Sequence, residues 1–251
     1  HTLADGRHEV TLTNGETFTA DLLVGADGAW SKIRTLVSDT KPIYTGLTVI
    51  EVHLFEADTR HASAAALVGG GSMFALSDEK GMTFHRDPDS TLHGYIALKT
   101  PADWSRTIDF TKAAAIKTML LEHFVDERLQ AMITGADGAI VPRPLFALPV
   151  GYRWTRVPGV TLLGDAAHVM APFAGEGANL ALQDAAELAR AIIAHPHDVD
   201  HALTLYEQAL FLRSEVSAAV SAKNLTIAFR ADAPQGMVDL MVQYGVGDHA
   251  P

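Results

Sequence analysis

The stretch Leu162–Ala191, LLGDAAHVMAPFAGEGANLALQDAAELARA, decides the fold, because its character changes twice along its length. It opens on Leu162 and Leu163, which end the segment GVTLLGD that is typical of a buried strand, and turns at Gly164 and Asp165. A loop with one proline and two further glycines follows. From Gly177 onward, apolar residues recur at helical spacing until Pro196, which predicts a helix over Gly177–Ala194.

The two junctions of this stretch suit a ligand. A carboxylate at a strand end, as predicted for Asp165, accepts hydrogen bonds from sugar or polyol hydroxyls. Gly175 and Gly177 lie where the helix must begin, and unpaired amides at a helix N-terminus favour an anion or a ring that becomes anionic. Pro172 stiffens the approach. The alternative is a strand, a glycine-rich loop and a core helix without a ligand, which leaves the acid and the glycine pair unexplained.

A second stretch, LLVGADGAWSKIR (Leu22–Arg34), also joins a buried strand to a polar turn. The strand delivers Asp27 and Gly28 to its end, where ligands of open α/β sheets usually bind. Glycine there lets a backbone amide approach an anion closely, and Arg34 offers a cation to the same loop. The alternative is a common Asp-Gly turn that leads into a short helix.

Local signals predict most of the other elements. Asn14-Gly15 is a strong hairpin signal between two strands. Strand-like segments follow from Ile43 to about Val141, and one helix is predicted among them over 110–134, beginning near Thr107 or Asp109. A long helix restarts at Asp198 or Asp200.

These elements predict an α/β fold in which a doubly wound domain is only partly present and carries a mostly β insertion. We predict four segments: the first part of the doubly wound domain at 1–40, a β-rich domain at 41–144, the second part at 145–197, and a C-terminal helical arm at 198–251.

Composition excludes several classes of protein. The chain has 251 residues, a formal net charge of −11 and no cysteine. Nucleic-acid and anionic-membrane surfaces need clustered Lys and Arg, so we expect neither partner. Without cysteine there is no disulfide framework and no thiolate metal site, which is compatible with the cytoplasm, the expected location. The chain opens without Met in strand-like residues, so we expect it to be the later part of a longer protein.

Together, the two stretches carry a resemblance. Asp27-Gly28-x-x-Ser31-x-x-Arg34, followed by Gly164-Asp165-Ala-Ala-His168 and Pro172-Phe-Ala-Gly-Glu-Gly-Ala-Asn179, resembles the flavin-dependent aromatic hydroxylases of the para-hydroxybenzoate hydroxylase group. Both motifs occur in the family's order and spacing. Within that group, the segments PFAGEGANLAL, LKTPADW and LTLYEQALF are most similar to the tetracycline-inactivating monooxygenases.

The resemblance implies a cofactor and a reaction. It implies FAD, reduced by NADPH or NADH, and oxygen transfer from molecular oxygen through a flavin C4a-hydroperoxide to a small aromatic, phenolic or polyketide-like, even tetracycline-like, substrate. No discrete catalytic side chain is expected, because in such enzymes the protein mainly positions the groups and excludes water. The implied cofactor-binding residues are Asp27, Gly28, Arg34, Gly164, Asp165, Pro172, Gly175, Gly177, Ala178 and Asn179.

The substrate residues are expected on the loop and on the inserted sheet. Phe173 resembles a family residue that faces the substrate, with plain packing as the alternative. The inserted sheet supplies the other candidates, of which strand alternation lets about half face a cavity: Met73, Phe74, Phe84 and His85.

Two departures from the family pattern qualify the assignment. The G-x-G-x-x-G segment that holds the ADP half of FAD is absent, so we expect the activity to belong to the longer protein. Ser72 stands where we align the substrate-binding arginine of the tetracycline enzymes, which weakens tetracycline as the substrate. His168 lacks the further ligands of a metal site and is expected to be structural, and no metal is expected elsewhere.

Three alternatives to a monooxygenase remain. A halogenase of this fold carries a W-x-W-x-I-P motif, whereas the three tryptophans here are far apart. A flavin reductase would keep the same fold. The missing nucleotide-binding segment leaves open a non-catalytic binding module.

Overall fold

The computed structural model describes residues 1–243, which form a mixed α/β fold. Its strands are β1 (His8–Thr11), β2 (Thr17–Ala20), β3 (Leu23–Gly25), β4 (Ile43–Leu54), β5 (Ser72–Ser77), β6 (Lys80–Arg86), β7 (Leu92–Lys99), β8 (Asp137–Ala147) and β9 (Val160–Leu162). Its helices are α1 (Ala57–Arg60), α2 (Ala62–Val68), α3 (Ala113–Leu121), α4 (Glu127–Thr134), α5 (Asp165–His168), α6 (Gly177–Ala194), α7 (Val199–Ala228) and α8 (Gln235–Gln243). None of these described helices is both long and apolar enough to cross a membrane.

The chain divides into two compact units. The first comprises 1–45 and 146–225, and the second comprises 46–145 together with the described residues from 226 onward. The predicted segment boundaries were 40/41 and 144/145. Most of α7, the first helix of the predicted arm, belongs to the first unit, because Leu203, Tyr206 and Leu210 enter its core. The predicted arm also includes residues 244–251, which lie outside the described residues.

The first unit contains two short sheets of two strands each, β1-β2 and β3-β9. The hairpin predicted at Asn14-Gly15 is confirmed: β1 and β2 pair antiparallel, and Gly15 adopts φ +87° in the turn. β3 and β9 pair in parallel, with Gly25 opposite Leu162. Parallel strands end at the same sheet edge, so the Asp-Gly and Gly-Asp motifs emerge side by side.

Helix α6 has the predicted bounds, Gly177–Ala194. The single helix predicted over 110–134 is wrong, because the chain forms α3 and α4 with a break between them. Asp126 causes the break: its carboxylate accepts the N–H of Arg128 and caps α4. Asp109 accepts the N–H of Thr111 in a turn, and the helix begins only at Ala113.

The second unit is a five-stranded sheet in the order β5-β6-β7-β4-β8, with helices packed on one face. Alternate residues of β4, Ile50, Val52 and Leu54, enter the core against that face. The residues between them, Glu51 and His53, therefore belong to the opposite face.

Gly94 of β7 makes close packing in this sheet possible. A Cβ at this position would lie 2.1 Å from the ring of Phe84, which is opposite Gly94 in the register and 1% exposed. The core therefore has no room for a larger residue at position 94.

We expect Gly94→Ala to lower the free energy of unfolding by about 1–3 kcal/mol, because it overpacks a buried ring. Gly70→Ala is the matched control: a Cβ there meets no atom within 4 Å and the backbone φ is ordinary. It should stay within about 0.5 kcal/mol of the wild type. Urea denaturation measures both, and equal stabilities of the two variants would contradict the packing argument.

Candidate functional site

The Gly-Asp motif forms the turn between β9 and α5. Gly164 adopts φ +57° and ψ −143°, a conformation that favours glycine, and α5 begins at Asp165. A Cβ on Gly164 would lie 3.1 Å from the Cβ of Ala181 in α6. Glycine therefore serves both the turn and the close approach of α6.

A buried carboxylate fixes this turn to two helices. Asp184 of α6 is fully buried, and its Oδ2 accepts the N–H of Gly164 at 2.9 Å and bonds His168 Nε2 at 2.7 Å. Its Oδ1 accepts Arg213 Nη2 from α7 at 2.7 Å. Arg213 also pairs with Glu187. We call Asp184, Gly164, His168 and Arg213 the Asp184 cluster.

The cluster keeps Asp184 ionised. Burial raises the pKa of this carboxyl, but the hydrogen bonds from His168, Arg213 and Gly164 outweigh burial, so its pKa lies below the ordinary value. His168 is buried and bonded to Asp184, which is the structural role that the sequence favoured.

Polar residues of α7 hold the loop between α5 and α6. Ser217 Oγ donates to Glu176 Oε2, Ser221 Oγ donates to the carbonyl of Ala171, and Asn224 Nδ2 donates to the carbonyl of Phe173 at 2.9 Å. Positions 217, 221 and 224 lie on one side of a helix. This stripe fixes the loop at three points, so its backbone is held before any ligand binds.

The loop and the start of α6 enclose a cleft of about 470 Å³. Five of the predicted cofactor-binding residues line it together with four others: Asp165, Pro172, Gly175, Gly177 and Ala178, with Met170, Ala171, Glu176 and Ala181. Gly175 adopts φ +69°, and a Cβ on Gly175 or Gly177 would point into open space. The glycines therefore leave room for a flat group against the loop.

The cleft offers both hydrogen-bond donors and a hydrogen-bond acceptor. The first intrahelical bond of α6 runs from the N–H of Leu180 to the carbonyl of Glu176, so the amides of Gly177, Ala178 and Asn179 precede it and face no intrahelical acceptor. Asp165 is exposed, and its carboxylate accepts no hydrogen bond from any of residues 1–243. An 18-residue helix adds a partial positive charge at this end.

The Asp-Gly motif is tied to the Gly-Asp motif by Arg34. This buried guanidinium donates to the carbonyls of Ala29, Asp165 and Ala166 at 2.8–3.0 Å. Three of its five N–H groups are thus used within the protein. Its predicted contact with the cofactor stays a prediction.

Asp27 caps the short 3₁₀ helix Ile33–Leu36. Its Oδ2 accepts the N–H of Lys32 at 2.7 Å and that of Ile33 at 3.3 Å. Desolvation raises the pKa of Asp27, but hydrogen bonds from Ser31, Lys32 and Ile33 lower it by more. The net pKa lies below the ordinary value, so the carboxyl is ionised. Gly28 adopts φ +80° in the turn. The local structure is therefore an Asp-Gly turn that leads into a short helix, which was the alternative to a ligand site. The ligand role of Asp27 and Gly28 stays a prediction.

The sheet of the second unit separates the four predicted substrate residues. Phe84 is 1% exposed and lies in the core, and Met73, its register partner, packs against that core. Strand alternation turns both side chains toward the helices, away from the face that carries Phe74 and His85, and their substrate role stays a prediction. Phe74 is 55% exposed, and His85 is half-buried on the same face as Phe74.

Sequence reasoning missed the groups that hold the cleft in place. Asp184 interrupts the apolar side of α6, and a carboxylate on an apolar helix face needs buried partners. The serines of α7 gave no comparable signal, since serine on a helix is usually exposed.

Comparison with known proteins identifies the family of this arrangement. A family model described as an FAD binding domain matches residues 4–215. The monooxygenase penA of Penicillium thymicola is 28% identical over 88% of this chain and 62% of its own length. The chain thus spans about three fifths of this relative.

Solved structures share the fold. Klebsiella pneumoniae HpxO, solved with FAD and uric acid, matches 97% of this chain and 60% of its own with a TM-score of 0.77 at 21% identity. The tetracycline destructase Tet(51) matches 98% of this chain and 65% of its own with a TM-score of 0.66 at 17% identity. At such identities the likeness concerns the fold.

We expect Asp184→Asn to lower the free energy of unfolding by about 3–5 kcal/mol, because it removes one side of a buried ion pair. Glu187→Gln is the matched control, since Glu187 pairs with the same Arg213 but is 28% exposed. Glu187→Gln should lower the free energy of unfolding by no more than about 1 kcal/mol. Urea denaturation at neutral pH measures both.

Acid titration separates a charge effect from a packing effect at Asp184. A carboxyl whose folded pKa is depressed stabilises the fold above its unfolded pKa, about 3.9, and loses that contribution as pH falls through the folded value. The stability gap between wild type and Asp184→Asn should therefore narrow below about pH 4. A constant gap would show that the carboxylate charge contributes nothing.

Proposed function

This chain belongs to the FAD-binding domain family, and we propose that it forms the flavin-ring side of the active site in a flavin-dependent monooxygenase. The supporting observation is the cleft at the start of α6, which combines a free carboxylate, unpaired amides and two glycines that leave open space. The matched relative penA is a monooxygenase. Because the chain spans about three fifths of that relative, the activity of the whole protein is part of the proposal.

The cleft fits the flavin end of FAD. The isoalloxazine ring would lie against Pro172 and the two glycines, where no side chain intrudes. The amides of Gly177, Ala178 and Asn179 would donate to the ring edge that carries negative charge after reduction, and the dipole of α6 favours that charge.

Asp165 is proposed to hold the ribityl chain. Its carboxylate lines the cleft and is exposed, so it can accept hydrogen bonds from ribityl hydroxyls without breaking a hydrogen bond to the described residues. Gly164, which precedes Asp165, is anchored by Asp184. The anchor positions the carboxylate before the cofactor binds, which lowers the entropy cost of binding.

The bound cofactor supplies the chemistry, and the protein supplies position. When bound, FAD reduced by NADPH or NADH activates molecular oxygen and delivers one oxygen atom to an electron-rich substrate. The side chains of this chain hold the ring and stabilise its charge, and none is needed as an acid or base.

The proposed substrate is a small aromatic, phenolic or polyketide-like molecule. Phe173 lies in the loop that lines the flavin cleft, and Phe74 and His85 lie on the sheet face opposite the helices. We propose these three as substrate contacts. A tetracycline is a weaker proposal, since Ser72 replaces the arginine expected for such substrates. The cytoplasm is the proposed location, on the absence of cysteine.

We expect Asp165→Ala to weaken FAD binding by about one to two decades, because a charge-assisted hydrogen bond contributes about 1.5–3 kcal/mol. The melting temperature of the cofactor-free protein should fall little, since this exposed carboxylate accepts no hydrogen bond from the described residues. Asp21→Asn, an exposed carboxylate of the same unit, is the control. Flavin-fluorescence titration beside a thermal melt measures both quantities, and unchanged FAD affinity with a lower melting point would refute the assignment.

The activity has a separate test in oxygen-consuming assays. With saturating FAD, the protein should oxidise NADPH or NADH faster when a phenolic substrate is present, and hydroxylated product should appear. Asp165→Ala should be slow at limiting FAD and regain most of its rate at high FAD, because it loses affinity rather than chemistry. FAD binding without substrate-dependent oxidation would support the proposed cofactor site but contradict the proposed monooxygenase activity.

A further inference from the structure

Three histidines form a row across the inserted sheet, on the face opposite its core. His53 of β4 lies opposite His93 of β7, and His93 lies opposite His85 of β6. The rings of His53 and His93 stack with centroids 4.3 Å apart, and those of His85 and His93 lie 4.9 Å apart. Imidazoles this close on three neighbouring strands bring several nitrogen donors to one point.

A carboxylate completes the set of donors. Glu51 lies two residues before His53 on β4 and therefore on the same face. Its Oε1 is 2.8 Å from His93 Nε2, and its side chain is 11% exposed.

We propose that Glu51, His53 and His93 bind one divalent transition-metal ion, such as Zn²⁺. One ligand atom from each of the three lies within 4.8 Å of the others. Donors that share an ion at about 2.0–2.2 Å lie roughly 3 Å apart, so the Glu51–His93 contact already has the required spacing. Two imidazoles and one carboxylate are a ligand set that suits zinc and its neighbours. The proposal is independent of the flavin site.

The position of these residues favours a defined site. All three lie inside strands whose alternate residues enter the core, so their backbones are held rigidly. A second set, His85, Asp87 and His93, has a similar spacing. His85 and Asp87 are 42% and 37% exposed, against 11% for Glu51 and 19% for His93. The more buried set has fewer alternative side-chain positions and loses less entropy on binding.

Arg143 is the competitor of the metal ion. Its guanidinium donates to Glu51 Oε2, which leaves Oε1 toward the histidines, and its side chain is 56% exposed. An arriving cation would repel the guanidinium, which has room to turn into solvent. Loss of Arg143 should therefore favour metal binding, an effect not expected of adventitious metal on surface histidines.

The test is isothermal titration of the 251-residue chain with ZnCl₂ alone, in a non-chelating buffer. We expect one ion per chain. His53→Gln and His93→Gln should each weaken binding by at least about tenfold, because each removes a ligand. His85→Gln and His123→Gln, a histidine elsewhere in the same unit, should bind like the wild type. Arg143→Gln should bind more tightly than the wild type.

Several results would overturn the proposal. Wild-type affinity in both His53→Gln and His93→Gln would mean that zinc binds elsewhere. Loss of binding in His85→Gln with retention in His53→Gln would assign the ion to the second set. Weaker binding in Arg143→Gln would remove the competition argument, and circular dichroism of each variant shows whether its fold is intact.

Discussion

The charge of Asp184 is the constraint on which the rest of the first unit depends. A carboxylate with no access to water is costly unless donors surround it. Here the donors are a strand-end amide, a histidine and an arginine, and each comes from a different element. Satisfying one charge therefore fixes β9, α5, α6 and α7 relative to one another. The turn that carries Asp165 inherits its position from this arrangement.

Helix α7 also fixes the loop between α5 and α6, through hydrogen bonds from polar side chains. The loop between α5 and α6 belongs to no helix or strand, so its buried backbone carbonyls need other donors. Ser221 and Asn224 supply them to Ala171 and Phe173, while Ser217 donates to the carboxylate of Glu176, and both serines are buried. The cleft proposed for the flavin is thus shaped by polar contacts behind it, while the two glycines on its own surface leave it open.

The sequence predicted those features whose signals are local. Asn14-Gly15 specifies its hairpin, and glycine and proline set the bounds of α6. Five of the nine residues that line the cleft were predicted, from the resemblance to a family. Features that depend on partners distant in sequence were missed or misassigned: the buried role of Asp184, the carbonyl contacts of Arg34, and the sheet face of Phe84. Strand alternation shows that two faces exist, but only the packed helices show which one is buried.

The pairing of β3 with β9 has a consequence for how the chain folds. Leu23 lies opposite Val160, so the first unit closes only after the whole inserted segment has been synthesised. The segment from Gly46 to Leu145 is continuous and holds its own core, so its contacts are available earlier on the ribosome. The entropy of closing the intervening loop rises only slowly with its length, but a collapsed insertion brings its ends together and shortens the effective loop. We therefore expect the inserted sheet to form first and the first unit to fold around it. The pairing of β3 with β9 joins residues far apart in sequence, so it should form more slowly.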